Sequence, residues 1–65
     1  MPANYGDQRR MILEAEEALG IGPVELARKL ATPYDTLKDW KSERTVMPGV
    51  VYVAIDFLIY EETQS

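Results

Sequence analysis

"GIGPVELARKLATPYDTLKDW" spans residues 20 to 40 and holds two apolar-periodic segments with almost nothing between them. In the first, Gly22 precedes Pro23, a residue favoured at the first helical position because it has no N–H to leave unbonded. Leu26, Ala27 and Leu30 then recur at helical spacing and form the buried side. Ala31 and Thr32 make a very short turn. The second segment starts at once. Thr32 is placed to cap it, Pro33 to take the first turn, and Asp35 to complete a Thr-x-x-Asp capping box. Leu37 and Trp40 face inward, which makes Trp40 a core residue rather than a stacking platform. Tyr34, Asp35, Lys38, Asp39 and Lys41 face out.

Working outward, "DQRRMILEAEEALG" reads as a preceding helix, with Asp7 favouring its N-terminus and Gly20 closing it. Met11, Ile12, Ala15, Ala18 and Leu19 share one face, and Leu13 lies off it. The residues before it, "MPANYG", read as a loose arm over 1–6. After the second segment "SERTVMPG" reads as a loop. "VVYVAIDFLIYEE" is ambiguous: its β-branched residues suggest a strand, while its length and its start after Pro48-Gly49 favour a helix. Taken as a helix, Val50, Val53, Ala54 and Phe57 form an inward arc. Val51, Ile55, Leu58 and Ile59 form an adjoining apolar arc, and Tyr52, Asp56 and Tyr60 the polar side. An ordinary surface helix carries one stripe about 100° wide, so the second arc is the expected dimer interface. The expectation is one all-α domain over 7–60, with a tail at 61–65.

The 65 residues leave room for no second domain, and so small a core often needs a partner. With no Cys and no His there is no disulfide, thiol or imidazole chemistry and no ordinary zinc site. No phosphate loop or nucleophile–base pair is visible, so no enzyme, cofactor or small-molecule ligand is expected. The N-terminus lacks a signal-peptide core and the longest apolar run, Val50 to Ile55, is too short for a bilayer, which predicts a cytoplasmic protein. The net charge is −4. From Arg28 to Arg44, however, the chain is net +2, leaving −6 on the remainder. A positive segment on a negative body can hold DNA by one face and repel it elsewhere.

Two short helices joined by a tight turn, the second polar outside, form a helix-turn-helix. The order of residues at 20–40 resembles the Cro and phage-repressor (xenobiotic-response-element-like) class, with Leu26, Ala27, Leu30, Ala31, Leu37 and Trp40 in register. "ERTVMPGVVYVAIDFL" is similar to the arginine-containing loop and last helix of many small phage and plasmid regulators, so the resemblance covers about residues 11 to 59. Some positions depart from it. Ala31 stands where the turn usually has Gly, Thr32 where it has an apolar residue, and Glu43 where Gly follows the recognition helix. Pro23 occupies a position that often bonds phosphate. The class often pairs an Arg in the first helix with a Glu after the third; here Glu16 and Lys41 stand there with signs exchanged, which predicts a salt bridge.

The resemblance implies a lambda-repressor-like bundle of four short helices whose third helix enters the major groove. It puts Tyr34, Asp35, Lys38 and Asp39 against bases. Lys38 can donate to guanine, either aspartate can accept from cytosine N4, and Tyr34 can touch a thymine methyl or a phosphate. Arg28, Lys29, Thr36, Lys41 and Arg44 are candidates for phosphate. The plainer readings are a solvated face for Lys38, Lys41 and Arg44, a cap for Asp35, helical pairing for Asp39 and surface roles for Tyr52 and Tyr60. The expected function is a homodimeric transcriptional regulator, most simply a repressor of its own operon, on an inverted-repeat operator in double-stranded DNA. Anti-CRISPR-associated regulators and antitoxins share this size class. The alternative is a protein-interaction module, antitoxin-like or inhibitor-like, that keeps the fold without binding DNA.

Overall fold

The computed structural model describes residues 7–64; the expected arm at 1–6 lies outside them. Four helices follow one another: α1 (Gln8–Leu19), α2 (Pro23–Lys29), α3 (Tyr34–Lys41) and α4 (Gly49–Gln64). The described residues contain no strand, so the ambiguous C-terminal segment is helical, and it continues to Gln64, inside the stretch expected to be a tail. None of the described helices is long and apolar enough to cross a membrane.

The first three helices end in the same way. Gly20 has φ 67°, and its N–H and that of Ile21 donate to the carbonyls of Glu17 and Glu16. Ala31 has φ 55°, with Ala31 and Thr32 N–H on Arg28 and Ala27. Glu43 has φ 65°, with Glu43 and Arg44 N–H on Trp40 and Asp39. Each is a Schellman closure, in which the left-handed residue lets two orphan carbonyls find donors. The sequence has the favoured Gly in only one of the three places.

The start of α3 corrects the capping-box reading. Pro33, with φ −62° and ψ 143°, holds the N-cap position, and no side chain caps the helix. Its carbonyl accepts from Thr36 and Leu37 N–H. Thr32 is already committed: its N–H closes α2, and a residue before proline is pushed away from helical geometry. Asp7 likewise makes no capping bond and instead pairs with Arg10 at 3.2 Å.

The core joins Ile12 and Ala15 of α1, Leu26 and Ala27 of α2, Leu37 and Trp40 of α3, and Met47, Tyr52 and Ile55. Met11, Leu19, Ile21 and Leu30 pack at its margin, while Ala18, expected inside, is exposed. Leu13 is exposed, as its spacing predicts. α1 packs on each of the other three helices.

The expected phase of α4 is inverted. Ile55 is 0% exposed and Tyr52 is buried, and Val51, Leu58 and Ile59 pack against the core. These five, four of them assigned to a dimer interface and Tyr52 to the surface, are the inward face. Of the supposed inner residues, Val50, Val53 and Phe57 are exposed and Ala54 is half-buried. Val51, Ile55, Leu58 and Ile59 share one arc of the helix at 3.6 residues per turn, and that arc is turned to the core. Met47, in the loop before α4, is fully buried in the same core, and its N–H donates to the Gln8 side chain at 3.1 Å.

Candidate nucleic-acid interface

α2 and α3 pack on one another across the turn at 30–33, and Leu26 and Ala27 lie buried on the inner side of α2. Leu37 and Trp40 seat α3 on the core. The residues between and before these inward positions lie off the buried stripe, as 3.6 residues per turn requires. Tyr34, Asp35 and Lys38 are exposed and Asp39 is half-buried. The Lys38 ammonium lies 5.4 Å from the centroid of the Tyr34 ring and 3.9 Å from Asp35 Oδ1. The structure therefore brings the four expected base-reading residues together on one outward face of α3.

The expected phosphate-binding residues divide into two groups. Arg28, Lys29 and Arg44 are exposed. Arg28 is held 3.1 Å from Glu25, and Arg44 Nε lies 3.8 Å from Asp39 Oδ1. Thr36 and Lys41 are half-buried. Lys41 Nζ stands 2.7 Å from Glu16 Oε2, with side-chain exposures of 26% and 15%. This is the salt bridge predicted from the exchanged signs. Glu16 Oε2 is buried, and the Lys41 ammonium is the charge that meets it. Lys41 thus ties α3 to α1 and is the least available of the basic residues.

The sequence reading missed Gln8, which is buried. Its amide N–H donates to the Trp40 and Thr45 carbonyls, both at 2.7 Å, and its Oε1 accepts from Met47 N–H. One side chain therefore satisfies three backbone groups and holds the loop carrying Arg44 against α1. A signal was present. Gln8 is in phase with Ile12, Ala15 and Leu19, so a polar residue begins an otherwise apolar face.

No protein-family model, curated protein or solved structure matches the chain.

Proposed function

We propose that the chain is a sequence-specific DNA-binding regulator of helix-turn-helix type, working in the cytoplasm, most simply as a repressor. α3 is the helix that reads the major groove. The observation that carries this is the outward group Tyr34, Asp35, Lys38 and Asp39 on a helix seated by Leu37 and Trp40, with Arg44 just beyond its end. A helix so exposed and so anchored can enter a groove without rearranging, and base edges are read from its N-terminal half. Lys38 supplies a donor for guanine, the aspartates supply acceptors for cytosine, and Arg44 and Lys29 supply charge for phosphate. As a pair of copies the protein would take an inverted repeat with half-sites about 34 Å apart. No catalytic role is proposed.

One observation favours a second reading, a protein-interaction module. Lys38, Arg44 and Arg28 each sit beside an acid of the same chain. The face is close to neutral as it stands. Salt separates the two readings, because phosphate contacts release counterions and a mainly apolar protein contact does not. The direct experiment is a mobility shift on the DNA upstream of the protein's own gene. Lys38→Ala should cost about 1–3 kcal/mol and relax preference at one base pair. Arg44→Ala should weaken all sequences alike and lower the salt slope by about one. Unchanged affinity in both variants removes the DNA reading in favour of the second.

A further inference from the structure

α4 carries a second apolar face that its own chain leaves bare. Val50, Val53, Phe57 and Tyr60 are 72%, 66%, 58% and 60% exposed. At 100° per residue they form one narrow stripe, about half a turn around the helix from the buried Tyr52 and Ile55. Their spacing of three, four and three residues is that of a helix seam built to receive another helix. Together they expose on the order of 500 Å² of apolar side chain, near the upper limit for a soluble monomer.

We infer that this stripe is the contact between two copies of the chain, with the two α4 helices antiparallel about a two-fold axis near residue 55. Three features single out this occupant. The stripe is graded in size, with valines at 50 and 53 and aromatic rings at 57 and 60. An antiparallel pair sets Val53 against Phe57 and Val50 against Tyr60, so that large meets small along the whole seam. A parallel pair would stack ring on ring at one end and valine on valine at the other. The ends also complement one another. α4 has no acid in its first turn and no base in its last, where Glu61 and Glu62 stand instead. Carboxylates are unfavourable at their own helix C-terminus and favourable beside the N-terminus of an antiparallel partner. Finally, two such stripes together remove roughly 1,000 Å², the lower bound of a specific interface. The inference stands independently of DNA binding, since nothing in it uses α3.

The test needs no DNA. Sedimentation equilibrium at micromolar concentration should show a dimer of the wild-type chain. Val53→Lys and Phe57→Glu alter residues the monomer leaves exposed. Each should keep its helical circular dichroism and weaken association by about tenfold or more. An equimolar mixture of the two variants should recover a dimer, because Lys at 53 then faces Glu at 57 across the seam. Should either variant lose helicity, Val50→Lys with Tyr60→Glu meets in the same register and gives the same readout. A monomeric wild type, or variants that stay dimeric, overturns the inference and leaves the stripe to a partner of another sequence. Monomeric variants that fail to recover on mixing overturn the antiparallel pairing.

Discussion

Three residues occupy the same left-handed position after a helix, and chemistry distinguishes them. Gly20 adopts it freely, whereas Ala31 and Glu43 do so with a Cβ that crowds the backbone. Ala31→Gly and Glu43→Gly should each raise stability by about 1 kcal/mol, less what the added freedom of the unfolded chain removes. Gly20→Ala should cost a similar amount. Urea denaturation of the three variants decides this, and a loss of stability in the first two would contradict the backbone reading. Gln8 is the other residue on which much depends. Gln8→Leu keeps the bulk, leaves the Thr45 carbonyl and the Met47 N–H without the Gln8 amide, and takes from the Trp40 carbonyl one of its two donors. A loss of about 2–4 kcal/mol is expected. Hydrogen exchange should quicken at the Met47 amide well before the amides of mid-α1, because the loop is released first.

Among the elements, α4 is the one whose environment differs most from its sequence pattern. It is apolar on two opposite faces, so periodicity cannot say which is inside. Packing on α1 decides the rotation, and Ile55 becomes part of the core. Ile55→Ala should therefore cost about 2–5 kcal/mol. Val53→Ala, at a site the monomer leaves bare, should change the stability of dilute protein by no more than about 0.5 kcal/mol. Thermal or urea unfolding at concentrations below association measures both. Equal losses at the two sites would mean that the helix sits in some other phase. α3 behaves differently, because its inward pair Leu37 and Trp40 alternates with charged residues that have only one side to occupy.

For the whole molecule the decisive quantity is how an acidic chain of net charge −4 could approach phosphate at all. Asp35 and Asp39 lie beside Lys38 and Arg44, and each carboxylate offsets a cation on the proposed reading face. Under the DNA reading this makes binding to unrelated sequences poor and leaves affinity to sites that give the aspartates a donor. Asp35→Asn together with Asp39→Asn should strengthen binding to an unrelated duplex. The salt slope should steepen by about one for each aspartate removed. Titrations across salt on unrelated DNA provide the check. A slope unchanged by both substitutions would mean that α3 does not face phosphate.

The first three helices, the tight turn between α2 and α3 and the outward face of α3 were legible in the residues themselves. Their apolar positions repeat at 3.6 residues against charged neighbours, and Pro23, Pro33 and Gly20 mark the ends. α4 was favoured as a helix over a strand only by its length and its start after Pro48-Gly49. The Glu16–Lys41 pair was visible only through the resemblance, which puts two distant positions in register, and the fold brings them to 2.7 Å. Three things were decided by tertiary structure alone. Thr32 closes α2 with its N–H and stands one residue too early to cap α3, because the extended Pro33 takes the N-cap position. Gln8 gathers three backbone groups from 32 to 39 residues away, contacts that no local pattern encodes. The phase of α4 follows from which of its faces packs on α1, since a helix apolar on both sides has no sequence signal for which face to bury.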